Sequence, residues 1–138
     1  MITNKTTRHQ SRILAIQILF IFLSRDQKIS IDEIFNYVKS ENKINVDFIF
    51  TKKLIDTAIE NIKKIKIIIK AFSTESSYEK ISLINQVILI LGISEMKFIK
   101  TPFIVVINEY IDIAKKYGEA KSGSFINGVL DSFRKNLK

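Results

Sequence analysis

The chain has 138 residues, a formal net charge of +8 at pH 7 and no cysteine. The length suits one domain or two small helical halves sharing a core, and a hydrophobic content of 46% argues against a disordered chain. The lack of cysteine excludes a disulfide scaffold, a cysteine-ligated metal site and a cysteine nucleophile, and it fits a reducing, cytoplasmic compartment. The basic balance favours an anionic partner, with nucleic acid ahead of membrane; codon bias is the alternative explanation.

The first predicted helix covers about 6–23 and begins like a secretory signal peptide, with basic residues followed by an apolar run from Ile13 to Leu23. The run contains Gln17 and is shorter than the ~20 residues that cross a bilayer. It also ends without the small residues that precede a signal-peptide cleavage site. We therefore predict a buried helix that is apolar nearly all round.

Few glycines and prolines, with apolar residues spaced three and four apart, predict an all-α fold of about seven helices. After the first, we predict helices over 31–40, 47–72 (two helices, broken near Glu60), 77–99, 101–117 and 122–136. Ser30, Thr101 and Ser122 are predicted N-caps, with Pro102 in the first turn, and Gly118 is a predicted C-terminal glycine.

One basic stripe lies at the N-terminus. If the first helix extends back to Lys5, then Lys5, Arg8, His9 and Arg12 follow an i, i+3, i+4, i+7 pattern and share one face. No acidic residue precedes Asp26, so this face suits a phosphate backbone, whereas a solvated terminus is the alternative. A second stripe has the same kind of spacing and is interpreted as a solvated face: Lys63, Lys66 and Lys70, with Lys64 beside it.

The turn before the last helix is a second candidate site. Backbone N–H groups of Gly123, Ser124 and Phe125 at a helix N-terminus, with Lys121 beside them, favour an anion. Phe125 either packs inward or stacks on a base. Gly128 within the last helix predicts that another helix approaches closely there, because glycine costs about 1 kcal/mol in a helix relative to alanine.

Catalysis and metal binding find little support. His9 is the one histidine, and no glycine-rich phosphate loop or metal-ligand cluster is present in the sequence. Glu109 and Asp112 have the spacing of an acid–base pair, but a polar helix face explains them better. We therefore predict a protein that is not an enzyme and has no cofactor or metal site.

Two stretches of sequence carry a family resemblance. Arg12–Phe20 reads RILAIQILF, and Val105–Asp131 reads VVINEYIDIAKKYGEAKSGSFINGVLD. The second contains, in order, Ile107-Asn108-Glu109, Ala114-Lys115, Tyr117-Gly118 and the run from Phe125 to Asp131. Both stretches resemble the NusB family of transcription antitermination factors. The N-terminal tract here has fewer arginines than is usual in that family, and Ile90 stands where the family has an arginine.

The resemblance implies a single NusB-like, all-α domain over 1–138, with helical subdomains of about 1–74 and 75–138. It implies a bacterial protein that pairs with the small-subunit ribosomal protein NusE and binds single-stranded boxA RNA. With RNA polymerase and other Nus factors, such a pair supports processive transcription of ribosomal-RNA operons. NusE is expected to dock on a helical face that includes the fifth helix.

The resemblance also assigns residues. It implies RNA contacts at Arg8, His9, Arg12, Lys121, Ser122 and Phe125. The basic stripe adds Lys5 to this expected RNA-binding set, and we expect the N-terminal and C-terminal parts of the set to lie close together. The family motif also contains residues that we interpret as structural, bonding helix ends and turns: Asn108, Glu109, Asn127, Gly128 and Asp131.

Two other functions remain open from the sequence. A similar helical domain precedes the catalytic domain of some ribosomal-RNA cytosine methyltransferases, but those enzymes need a cofactor domain and a catalytic cysteine. The other alternative is a non-catalytic helical interaction protein, or a homodimer, with little RNA binding of its own.

Overall fold

The computed structural model describes residues 4–42 and 45–137, with side chains of the first helix from Thr7 onward. These residues form seven α-helices and no strand, which confirms the all-α prediction. The helices are α1 (Asn4–Ser24), α2 (Ile31–Glu41), α3 (Phe48–Glu60), α4 (Ile62–Phe72), α5 (Leu83–Ser94), α6 (Phe103–Tyr117) and α7 (Ser122–Lys135), with a 3₁₀ turn (Tyr78–Lys80) before α5 and a π-helical segment (Glu95–Ile99) after it.

The chain forms two compact units, Met1–Asp56 and Thr57–Lys138. The division falls within α3, whereas the sequence-based halves divide near residue 74. The predicted break near Glu60 is confirmed, because α3 ends at Glu60 and α4 begins at Ile62.

In the first unit, α1 packs against α2. The prediction of a core helix is confirmed as far as Leu19, because Ile13 to Ile16, Ile18 and Leu19 are buried. Phe20 to Leu23, the end of the apolar run, are half-buried. Ser30 is the predicted N-cap of α2, and its Oγ accepts the Glu33 N–H at 3.1 Å. Across residues 4–42 and 45–137, no helix is long and apolar enough to cross a membrane.

In the second unit, α6 packs against α7, and both pack on α5. A Cβ atom added at Gly92 of α5 would lie 3.4 Å from Leu130 Cδ2 of α7, so the close approach of two helices occurs at Gly92. The prediction of a close approach at Gly128 is wrong. Gly128 is exposed, and a Cβ there would meet nothing within 4 Å, because it lies on the face of α7 opposite the core.

The predicted helix over 77–99 is not continuous. Ser82 Oγ accepts the Asn85 N–H at 3.4 Å and caps a new helix at Leu83, after the extended backbone of Ile81. At the other end, Lys100 adopts the left-handed conformation with φ 66° and stops the π-helical segment. The predicted helix is divided at Ser82 because a side chain that accepts from a free backbone N–H group fixes where a helix begins.

Capping also differs from prediction around the last two helices. Pro102 is the N-cap of α6, one residue after the predicted Thr101. Ser122 is the first residue of α7 and not its cap, a position that Lys121 occupies without a side-chain bond. Helix ends predicted from sequence commonly shift by one or two residues.

Candidate nucleic-acid interface

In the first unit, Ser11 joins α1 to the start of α3. Ser11 Oγ accepts the Asp47 N–H at 3.0 Å and lies 2.8 Å from the carbonyl oxygen of Thr7, and Thr51 Oγ1 donates to the Ser11 carbonyl oxygen at 3.1 Å. Asp47 Oδ1 accepts the Phe50 N–H at 3.0 Å, which caps the first turn of α3. These bonds fix the position of Phe50 against the basic face of α1.

Phe50 is the centre of a cationic cluster. Arg8 Cζ lies 4.3 Å from the centroid of its ring, and Arg12 Cζ lies 5.3 Å from it. The ring is 5% exposed, so both guanidinium groups stack on a buried aromatic surface. Arg8 is exposed and can also face a phosphate, whereas Arg12 is only 3% exposed.

Fewer members of the predicted basic stripe are exposed to solvent than its spacing indicates. Helix α1 does extend back to Lys5, as the stripe requires, but the Lys5 side chain is outside the described residues. His9 is half-buried, and Arg12 is buried against Phe50. Arg8 is the member of the stripe that the described structure presents to solvent, and the RNA role of all four stays a prediction.

In the second unit, the turn between α6 and α7 is tightly built. Ser122 is 1% exposed, and its Oγ accepts the Glu119 N–H at 2.8 Å. Gly118 follows α6 in extended conformation with φ −93°, so glycine is not needed there for a left-handed backbone. A Cβ at Gly118 would instead lie 2.6 Å from Ser122 Oγ and 2.7 Å from the Ala114 carbonyl oxygen, so the close packing of the turn requires glycine.

This turn forms one wall of a pocket of about 470 Å³ in the second unit. Phe125 is half-buried and supplies an aromatic surface, and the exposed side chains of Lys80 and Lys121 supply positive charge. Among the described residues, Asn85 Oδ1 is buried and has no hydrogen-bond donor. The lining residues are Glu75, Lys80, Ile81, Ser82, Asn85, Glu119, Lys121, Ser122, Ser124 and Phe125.

The pocket brings together all three residues that the sequence predicts at this end: Lys121, Ser122 and Phe125. The anion site expected from free N–H groups is smaller than predicted, because the Phe125 N–H donates to the Lys121 carbonyl oxygen at 3.1 Å. Ser122 serves the turn through its hydroxyl, since its side chain is buried. Its assignment to RNA binding stays a prediction.

Sequence reasoning missed two residues of these sites. Phe50 is distant in sequence from the arginines that it supports, and nothing in the surrounding FIFT stretch distinguishes it from an ordinary core residue. Asn85 offers a weak signal, because Ser82 and Asn85 have the spacing of a helix cap. Only the packed structure shows that its side-chain oxygen is left without a donor.

The interpretation of the motif residues as bonding helix ends is wrong in part. Asn108 and Asn127 are exposed, and neither side chain bonds to another described residue. Asp131 is paired within its own helix, with Oδ1 accepting from Arg134 Nη2 at 2.6 Å and Oδ2 lying 3.2 Å from Lys135 Nζ. Glu109 is half-buried and does have a partner. Asn108 and Asn127 make no such bonds because they face solvent on α6 and α7. Their positions in the motif do not reveal whether they are exposed or buried.

Comparison with known proteins matches these features to one family. The NusB family model matches residues 9–135 of the chain. Transcription antitermination protein NusB of Campylobacter jejuni (strain RM1221) is 34% identical over 133 residues, which cover 96% of this chain and 98% of the relative. The NusB protein of Fusobacterium nucleatum is 38% identical over 89 residues, 64% of this chain and 58% of that relative.

A solved structure also resembles this chain in fold and sequence. A crystal structure of the antitermination factors NusB and NusE in complex with dsRNA contains a chain that superposes with a TM-score of 0.83 and 30% identity, over 94% of this chain and 96% of that one. The family match begins within the basic stripe of α1 and extends through the pocket and α7. The chain belongs to the NusB family.

Proposed function

We propose that this chain is an RNA-binding transcription antitermination factor that acts with the ribosomal protein NusE in the bacterial cytoplasm. The observation that carries the proposal is the pocket beside α7, where an aromatic ring, two lysines and an unpaired buried oxygen converge. Aromatic stacking, a cationic rim and a hydrogen-bonding group are what a single-stranded RNA base and its phosphates require. The related NusB–NusE structure, which was solved with dsRNA, supports RNA and NusE as partners.

The pocket chemistry favours particular bases. Phe125 offers a face for stacking, and Lys121 stands at the same wall for a neighbouring phosphate. Asn85 lines the pocket with its Oδ1 buried and unpaired, and a rotation of this side chain would let Oδ1 accept from an exocyclic amine, which cytosine and adenine carry. A cytosine in this pocket agrees with the proposal that the RNA is boxA, an element rich in U and C.

The first unit contributes phosphate binding in this proposal. Arg8 is exposed and oriented by the Phe50 ring, so it loses less conformational freedom on binding a phosphate than an unsupported side chain. Arg12 supports the ring from its buried position. With few surface arginines, the chain alone binds RNA weakly, and NusE supplies the remaining affinity.

An apolar turn suits the protein partner. The docking face expected on the fifth helix is largely inaccessible, because residues Val87–Ser94 of α5 are buried. The first turn of α6 is exposed instead, at Phe103, Ile104 and Val105. We propose this turn as part of the NusE contact, in a complex that joins RNA polymerase and other Nus factors on ribosomal-RNA operons.

A binding titration tests the proposal. Labelled boxA-like RNA and a shuffled RNA of equal composition are titrated with the chain, with and without NusE. We expect boxA-like RNA to bind at least tenfold more tightly with NusE present, a discrimination of about 1.4 kcal/mol. Equal binding of the two RNAs would contradict the proposed function.

Charge-matched variants locate the contact. Arg8→Ala should lower RNA affinity, whereas Arg25→Ala, which removes an exposed arginine beyond the last turn of α1, should not. A double-mutant cycle between Arg8→Ala and Lys121→Ala tests the prediction that both segments contact the same RNA. Strictly additive losses would count against that shared contact.

A further inference from the structure

Four of the six exposed residues of helix α4 are lysines. Its sequence IKKIKIIIKAF places Ile65 and Ile69 in the core and leaves Lys63, Lys66 and Lys70 exposed, with Lys64 exposed beside them. The helix contains no acidic residue. The helical spacing therefore creates a strip of four ammonium groups on the solvent side of the second unit.

These charges are not neutralised locally. Three lysines elsewhere in the described structure pair with carboxylates, among them Lys116 with Asp112 at 3.6 Å and Lys135 with Asp131 at 3.2 Å, whereas several other exposed lysines stand alone and apart from one another. None of the four α4 lysines forms an ion pair with a described residue. Glu60 precedes Lys63 and Lys64 by three and four residues, but it is the last residue of α3 and pairs with neither.

The lysine strip continues toward the pocket. Lys66 Nζ lies 5.5 Å from the centroid of the Tyr78 ring, in the 3₁₀ turn whose last residue, Lys80, lines the pocket. Burial raises the pKa of Tyr78 to about 12, with Glu79 adding to the shift, so the ring stays neutral beneath the ammonium group. Lys66 and Lys80 thus connect α4 to the wall that holds Lys121 and Phe125.

We propose that the α4 lysine face is a second, sequence-independent binding surface for the sugar-phosphate backbone of RNA that extends beyond the pocket. Uncompensated lysines in a row suit a polyanion, and the same unit holds the base-binding pocket. Naming the polyanion as RNA rests on the proposed function. The function of the face would be to lengthen the footprint on RNA without reading its sequence.

An anionic membrane fits this face less well. A helix that binds a membrane surface buries a broad apolar face in the lipid. The apolar side of α4 is already buried at Ile65 and Ile69, and Ile67 is the one large apolar side chain in the lysine strip that is mostly exposed, at 69%. One isoleucine gives little apolar area for insertion, whereas four lysines give phosphate contacts.

The test compares two charge-matched triple variants in complex with NusE. The first is Lys63→Gln, Lys66→Gln, Lys70→Gln. The control is Lys28→Gln, Lys39→Gln, Lys53→Gln, which removes the same charge from three exposed lysines of the first unit that form no ion pair with a described residue. Glutamine is close to lysine in helix propensity, and all six lysines are exposed, so both variants should fold, which circular dichroism and thermal melting verify.

Affinity is measured against salt for two RNAs: a boxA-like RNA of about 12 nucleotides, and the same RNA with about 10 unstructured nucleotides added at either end. With the extended RNA, the α4 variant should flatten the slope of log K against log salt by about 2, from the loss of three phosphate contacts at about 0.7 each. With the short RNA, neither variant should change the slope. The variant Lys63→Arg, Lys66→Arg, Lys70→Arg keeps all three positive charges and should therefore keep the wild-type slope.

Three outcomes overturn the inference. One is an equal slope change with short and extended RNA. Another is an equal change in the control variant. The third is an unchanged slope for the α4 variant with the extended RNA. If that variant also loses binding to vesicles rich in phosphatidylserine, the lysine face binds membrane and not RNA. Failure of the proposed function is a separate result, since it appears as equal affinity of boxA-like and shuffled short RNA.

Discussion

The two candidate RNA-binding segments combine cations and aromatic rings in opposite ways. In the first unit the ring of Phe50 is buried, and Arg8 and Arg12 cover it. In the second unit the ring of Phe125 is half exposed in an open pocket, and the lysines stand at its rim. A buried ring orients the charges above it, whereas an exposed ring is itself available to a base.

Because of this difference, the arginine cluster contributes to folding, whereas the pocket is available for binding. A cation stacked on a buried ring contributes up to about 2 kcal/mol to the folded state, so the arginine cluster belongs to the core of its unit as well as to its surface. The lysines of the pocket are exposed and contribute little to stability. Substitutions in the first segment should therefore affect stability before binding, and those in the second segment binding before stability.

The largest effect is expected at the buried ring. Phe50→Ala should lower the free energy of unfolding by about 3–5 kcal/mol, because it removes a core side chain and the surface on which both guanidinium groups stack. Urea denaturation measures the loss, and Phe48→Ala, on the less buried neighbour, serves as the control. A loss below 1 kcal/mol would break the comparison, since the ring would then not be part of the core.

Phe125→Ala should act mainly on binding. Loss of base stacking should lower affinity for boxA-like RNA with NusE by about 1–3 kcal/mol, or roughly 5- to 150-fold. Phe125→Tyr keeps the stacking face and should keep most of the affinity. If Phe125→Ala instead destabilises the fold while the properly folded fraction binds RNA normally, the ring is a core residue and the pocket is not a base site.

Two glycines test how tightly the pocket wall is built. Gly118→Ala should destabilise the protein by about 1–3 kcal/mol and weaken RNA binding, because its Cβ would collide with Ser122 and with the Ala114 carbonyl oxygen. Gly128→Ala meets open space and should stabilise the protein by about 0.5–1 kcal/mol. Thermal unfolding and RNA titration of both variants check this, and equal behaviour of the two would show that the turn tolerates a Cβ.

Asp131 should show the smallest effect. Hydrogen bonds from Arg134 and then Lys135 hold the pKa of Asp131 below its usual value of 3.8. A lowered folded-state pKa stabilises the protein above the unfolded-state pKa, and that stabilisation is lost as pH falls through the folded-state pKa. Asp131→Asn should therefore be slightly less stable than wild type at pH 7, with the difference vanishing in strong acid and RNA affinity unchanged. A large loss of RNA affinity would instead place Asp131 in the binding surface.

Much of the fold was predictable because it depends on local pattern. Apolar spacing identified the helices, Ser30 and Glu33 marked the start of α2, and the break at Glu60 was visible between two apolar repeats. The extent of the helix predicted over 77–99 was not, because Ser82 caps a helix inside an otherwise continuous apolar pattern. Helical periodicity gives little indication of a cap that interrupts it.

The sequence alone determined the all-α class, the family and the residue types available to bind an anion, since periodicity, motif order and charge are local properties. Only the tertiary structure decided how those residues are used. It buried Arg12 on Phe50 across a long sequence separation, moved the close helix contact from Gly128 to Gly92, and placed Asn85, with its Oδ1 unpaired, in the lining of the same pocket as Phe125. Burial and pairing depend on which distant residues pack together, and spacing along one helix does not contain that information.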